Sequence, residues 1–86
     1  MNTSLQLSAV KILRTGTDGG HLYIRGRGEL SSHGECDVYA YFRSKEDERI
    51  FESQFSGQSV ILEADAVEFT RGLGGSVRKI VSWRLI

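Results

Sequence analysis

Two segments alternate with a period of two residues, and that period confines the chain to β-structure more tightly than any other feature. In residues 21–30, HLYIRGRGEL, the positions Leu22, Ile24, Gly26, Gly28 and Leu30 are apolar or bare, while His21, Tyr23, Arg25, Arg27 and Glu29 are aromatic or charged. In residues 35–43, ECDVYAYFR, the set Cys36, Val38, Ala40 and Phe42 alternates with Glu35, Asp37, Tyr39, Tyr41 and Arg43. Successive strand side chains point to opposite faces, so burying the apolar sets forces the tyrosines and arginines together on the other side. A face that only met water would be served by Thr, Ser, Lys and Glu. The question is what a strand face of tyrosine and arginine holds.

The rest of the chain reads as further strands around one helix. Residues 4–13, SLQLSAVKIL, alternate through Leu5, Leu7 and Ala9 and then slip phase between Val10 and Ile12, which predicts a curved strand with a bulge. RTGTDGG is a turn, because Gly and Asp tolerate positive φ. Gly26 and Gly28, both inward, predict a sharp bend or a close backbone approach in the second strand. Ser44 with Asp47 gives a helix N-cap and an acidic first turn, and Ile50, Phe51 and Phe55 form an apolar side up to a stop at Gly57. A long fourth strand over 58–69 (QSVILEADAVEF), a glycine-rich connection TRGLGGS, and a fifth strand over 77–86 (VRKIVSWRLI) complete the order β-β-β-α-β-β.

At 86 residues the chain is expected to be a single domain, 1–86, burying about 60–65% of its unfolded surface in one core. A lone cysteine, Cys36, leaves no internal disulfide framework, which fits a reduced, cytoplasmic setting. No apolar run approaches the roughly 20 residues that span a bilayer, and the N-terminus lacks signal-peptide character, so no membrane partner is expected. Net charge is zero, yet it is segregated. Residues 44–69 hold two basic side chains against seven acidic, and the remainder holds nine basic against four acidic. A neutral total can therefore still present a positive face.

Five strands with one helix between the third and fourth is the order of the OB-fold, a small, partly open Greek-key barrel. The run from ECDVYAYFR through SKEDERIFESQFSGQSVILEADAVEF to GGSVRKIVSWRLI resembles the second half of single-stranded DNA-binding proteins of the OB type. The shared pattern is a strand ending in an aromatic, a helix ending in F-x-G-x-S-V, a long strand, a glycine hairpin and a final strand. The resemblance covers roughly 50 residues by pattern. It implies a mainly β, five-stranded OB-type Greek-key barrel with a role in DNA replication. The bacterial housekeeping members carry a tail with an acidic tip, and since the sequence runs only to Ile86 the resemblance implies, as an expectation, a minimal phage-, plasmid- or primosome-like member.

The outward face of the second and third strands is the candidate site. Tyr23, Arg25, Arg27, Tyr39, Tyr41 and Arg43 share it, and single-stranded nucleic acid suits this mixture: bases stack on aromatic rings while guanidinium groups meet phosphates. The loops TGTDGG and RGLGGS, with Lys11, Arg14, Arg71, Arg78 and Lys79 near their bases, correspond by order to the loops that flank an OB groove. Neither loop carries the Gly-Lys-Ser/Thr of a phosphate-binding P-loop. Glu29, Glu35 and Asp37 on the same face oppose phosphate. The same tyrosines and arginines would also serve as a solvated sheet surface or a dimer surface.

Nothing in the chain forms a catalytic constellation. His33, Glu35 and Cys36 are possible metal ligands, but alternation points Glu35 and Cys36 to opposite faces. His21 has no evident partner, and Glu63 and Asp65 lie on the face opposite Glu68. The expectation is a non-enzymatic protein without metal, cofactor or small-molecule substrate. With Val60, Leu62 and Ala64 inward, Ile61, Val67 and Phe69 form an outward apolar row, a candidate homodimer or oligomer interface unless a bulge turns part of it back. Trp83, in phase with Val81 and Leu85, is expected in the core. The alternative function is a protein–protein interaction module on the same fold, an adaptor or inhibitor, which neutral charge and an acidic helix would suit.

Overall fold

The computed structural model describes residues 3–16, 20–30, 34–57, 59–64, 67–69 and 74–86. Over the described residues the protein is mainly β, with one helix and one curled sheet. In chain order the elements are β1 (Thr3–Arg14), β2 (Leu22–Leu30), β3 (Gly34–Tyr41), α1 (Lys45–Gln54), β4 (Val60–Ala64), β5 (Glu68–Phe69), β6 (Gly75–Val77) and β7 (Ile80–Leu85). The spatial order is β5-β6-β3-β2-β1-β4-β7. All neighbours run antiparallel except β3 and β6, which are parallel. Among the described residues no helix is long and apolar enough to cross a membrane.

The first strand serves two neighbours. Its N-terminal half pairs with β4, from Thr3 opposite Ala64 to Leu7 opposite Val60, and its C-terminal half pairs with β2, from Ser8 opposite Arg27 to Arg14 opposite Leu22. Between Ser8 and Lys11 the register shifts, and Ala9 there adopts φ 52°, in the left-handed region. This is the bulge that the phase slip predicts. An extra residue bends the strand and strengthens its twist, which lets one strand leave β2 and meet β4. Two glycines make room for the bend. A Cβ on Gly26 would sit 2.9 Å from Leu7 Cβ and 3.1 Å from the Ser8 carbonyl, and one on Gly28 would sit 2.9 Å from Leu7 Cδ2. The close approach expected at these positions is thus between β1 and β2.

The alternation of β2 and β3 is as the sequence predicts. Leu22, Ile24, Cys36, Val38 and Ala40 are buried and join Leu5, Leu7, Val10, Val60, Leu62, Ala64, Val77 and Ile80 in one core. Helix α1 closes this core with Phe51, whose ring packs 4.9 Å from Phe42, 5.3 Å from Phe55 and edge-on at 4.9 Å to Trp83. Ser44 caps the helix by accepting the Asp47 N–H at 3.1 Å. The C-terminus falls earlier than Gly57: the last helical residue is Gln54, and Phe55 caps it with its N–H on the Phe51 carbonyl.

Other details correct the sequence reading. Ile50, expected on the apolar helix side, is 41% exposed, and its place against the core is taken by Glu48, only 5% exposed. The expected fourth strand divides into β4, which pairs with β1, and β5, which pairs with β6. Likewise the expected fifth strand starts at Gly75, breaks at residues 78 and 79, and continues as β7. Ile61 faces outward and is half-buried, but Val67 packs against the core, so these two do not form a continuous outward row. The Phe69 side chain lies outside what is described. Trp83 packs against the core, half-buried, as expected.

Candidate functional site

Strands β2 and β3 pair in unbroken register, so their outward residues form four cross-strand rungs: Tyr23 with Tyr41, Arg25 with Tyr39, Arg27 with Asp37, and Glu29 with Glu35. The face changes character along its length, from aromatic, through cation with aromatic, to ion pair, to two carboxylates. Side chains directly opposite one another on antiparallel strands lie about 5 Å apart at Cβ, close enough for each rung to act as a unit.

The aromatic end is a contiguous cluster. The Tyr23 ring stacks on Tyr41 with centroids 5.0 Å apart and planes 21° from parallel, and lies 6.3 Å from the tilted ring of Tyr39. Tyr23 is the central member. Strand β1 extends the patch on one side, with Leu13 opposite Tyr23 and Lys11 opposite Arg25. On the other side Ser76 of β6 pairs with Tyr39, and the Arg78 guanidinium lies 5.7 Å from the Tyr41 ring centroid. All three tyrosines are half-buried. Their rings are held by neighbours yet keep accessible surface.

The basic residues divide by partner. The Arg27 guanidinium bonds Asp37 at 3.1 Å and Glu35 at 3.3 Å, and these carboxylates, Asp37 first, hold it still more firmly in its charged form, above the ordinary arginine range. Arg43 donates to Asp47 at 2.6 Å, and Arg14 is paired with Glu52 of the helix. Arg78 is only loosely paired, 3.9 Å from Glu68 with both side chains largely exposed. Among the described residues the side chains of Lys11 and Arg25 make no ion pair or hydrogen bond. Lys79 is exposed and has a partner. Arg71 lies outside the described residues.

The structure therefore brings together Tyr23, Tyr39, Tyr41, Lys11, Arg25 and Arg78, and ties Arg14, Arg27 and Arg43 into ion pairs. Ser76, which pairs with Tyr39, is buried. Sequence reasoning missed Leu13, whose place follows only from the register of β1. It also missed Glu48. That carboxylate accepts the Leu22 N–H at 2.9 Å through Oε1, lies 3.7 Å from Lys45 Nζ, and has Oε2 3.4 Å from His21 Nδ1. Lys45 in turn donates to the Gly20 carbonyl at 2.6 Å. Helix and sheet are thereby joined at the start of β2, directly before Tyr23. The available signal was spacing: 48, 51 and 55 share one helix face.

Two shallow depressions occur elsewhere on the described surface, one of about 310 Å³ lined by Ser4, Ile61, Glu63, Ser82, Trp83 and Arg84, the other of about 270 Å³ beside the two-carboxylate rung. Neither includes a tyrosine. A nucleic-acid platform needs no enclosed pocket, since bases stack on open rings, so the depressions are weaker pointers than the aromatic cluster. Among the described residues no group of three His, Cys, Asp or Glu side chains is placed to hold a metal ion. Cys36 is buried in the core, and His33 lies outside the described residues. Comparison with protein-family models, with curated proteins and with solved structures finds no match to this chain.

Proposed function

We propose that this protein binds single-stranded nucleic acid, DNA in the first instance, by stacking bases on Tyr23, Tyr39 and Tyr41 and meeting phosphates with Lys11, Arg25 and Arg78. The observation that carries the reading is the contiguity of the three rings with Lys11 and Arg25, which have no carboxylate partner among the described residues, and with Arg78, held only loosely by Glu68 at 3.9 Å. Stacking is worth about 1–3 kcal/mol per base and tolerates any sequence, because every base has a π-face. Arg14, Arg27 and Arg43 contribute less than their charge suggests, because their carboxylate partners already satisfy them.

The scaffold reading is a five-stranded OB-type Greek-key barrel. Its support is connectivity: taking β4 with β5 and β6 with β7 as two interrupted strands leaves five. The last then neighbours β3 through Gly75–Val77 and β4 through Ile80–Leu85, which is what closing a sheet requires. In such folds the second and third strands carry oligonucleotides.

A protein–protein module, an adaptor or inhibitor, is the second reading, and one observation favours it: the ion pairs of Arg14, Arg27 and Arg43 leave the outer surface far less cationic than the sequence implies. Titration of a fluorescently labelled oligo-dT with wild type and with the double variant Tyr39→Ala/Tyr41→Ala separates the two. The nucleic-acid reading predicts saturable binding at low salt, weakened at least tenfold in the folded variant. No binding by wild type would leave the protein-interaction module as the better account.

A further inference from the structure

We infer that the site accepts only a short single-stranded segment, about three nucleotides, and that Glu29, Glu35 and Asp37 set this limit by repelling the phosphate chain from the far half of the β2–β3 face. The inference rests on the nucleic-acid reading above and specifies its substrate.

Three rings offer stacking for about three bases. Each rung is two residues from the next, or about 6.8 Å along the strand at the usual rise. The Glu29–Glu35 rung therefore lies about 14 Å beyond the Arg25–Tyr39 rung. That distance exceeds the screening length of about 8 Å at physiological salt, so Glu29 and Glu35 leave the cations at the aromatic end unquenched, while Asp37, one rung nearer, is bonded by Arg27 at 3.1 Å. A phosphate chain continuing along the face would instead pass within that length of Glu29, Glu35 and Asp37, with Arg27 the one cation among them on these rungs.

Stability does not explain the last rung. Like charges directly opposite on antiparallel strands are destabilising. Arg27 bonds Glu35 and Asp37, but among the described residues Glu29 has no hydrogen bond or ion pair to offset its position facing Glu35. Two exposed carboxylates held face to face beside a cationic, aromatic patch make an electrostatic end-stop. The ligand that fits is a strand end or a small single-stranded gap, with its continuing chain leaving across β1 or β6 rather than along β2.

The test is an NMR titration at about 50 mM salt with oligo-dT of two to twelve nucleotides, comparing wild type with Glu29→Gln/Glu35→Gln. Wild-type affinity should rise to about three or four nucleotides and then grow only in proportion to the number of binding registers. The variant, checked for folding by thermal denaturation and expected to be at least as stable, should bind the trimer within twofold of wild type but the twelve-mer five- to tenfold more tightly. A wild-type affinity that climbs steeply beyond six nucleotides, or a folded variant with no length-dependent gain, would overturn the end-stop while leaving the nucleic-acid reading standing. Absence of binding at every length in both proteins would overturn both.

Discussion

Removing the central ring of the tyrosine cluster is the most informative single perturbation. Tyr23 stacks on Tyr41 at 5.0 Å and lies 6.3 Å from Tyr39, so Tyr23→Ala deletes one platform and takes the support from two others. The lost base stack is worth about 1–3 kcal/mol, or roughly 5- to 150-fold in Kd at 1.4 kcal/mol per decade. The lost ring contact should lower folding stability by about 0.5–1.5 kcal/mol. Tyr23→Phe keeps the ring and should change Kd less than about threefold, since among the described residues no hydrogen bond engages the Tyr23 hydroxyl. Anisotropy with a labelled oligonucleotide measures the first effect, and urea denaturation the second. If folded Tyr23→Ala binds as wild type does, the rings are not the platform. If Phe and Ala lose equally, the hydroxyl rather than the ring is the active element.

The ion-pair pattern predicts that arginines on one face differ in importance. Arg25→Gln should weaken oligonucleotide binding and shrink the salt slope by about 0.7, the single-strand value per phosphate contact; Arg27→Gln, whose charge is committed to Asp37 and Glu35, should leave the salt slope for a trimer unchanged and weaken binding only through the carboxylates it unmasks. Glu48→Ala should destabilise the fold by about 1–3 kcal/mol in urea, because the Leu22 N–H loses its acceptor in a buried setting, whereas Glu48→Gln should retain much of that stability. Gly26→Ala should destabilise by about 1–3 kcal/mol in the same assay, since its new Cβ would press on Leu7 Cβ and the Ser8 carbonyl.

The outward tyrosines and arginines were legible because a strand's period of two makes each face follow from the other. The same arithmetic located the β1 bulge, where apolar positions change phase. What could not be read was anything set by contact between distant segments. Leu13 joins the tyrosine patch only because the bulge puts it opposite Tyr23. The spacing of Glu48 with Phe51 and Phe55 places it on the buried helix face, but its role as acceptor for the Leu22 N–H appears only once the helix lies over β2. The site itself was overdrawn for a related reason. Arg14, Arg27 and Arg43 read as free cations in sequence, but their partners Glu52, Asp37 and Asp47 are fixed by packing and register. The division of the expected fourth and fifth strands is likewise a tertiary event, since each half serves a different neighbour.

The salt dependence of single-stranded DNA binding tests the central claim most directly. Three phosphate contacts, from Lys11, Arg25 and Arg78, predict that log K falls against log salt with a slope near −2, from about −0.7 per contact. Engagement of all seven described basic residues first implicated would steepen it to about −5. A slope near −2 with saturable binding is the result this account predicts. Absence of binding at low salt, or binding whose affinity does not respond to salt, would contradict it.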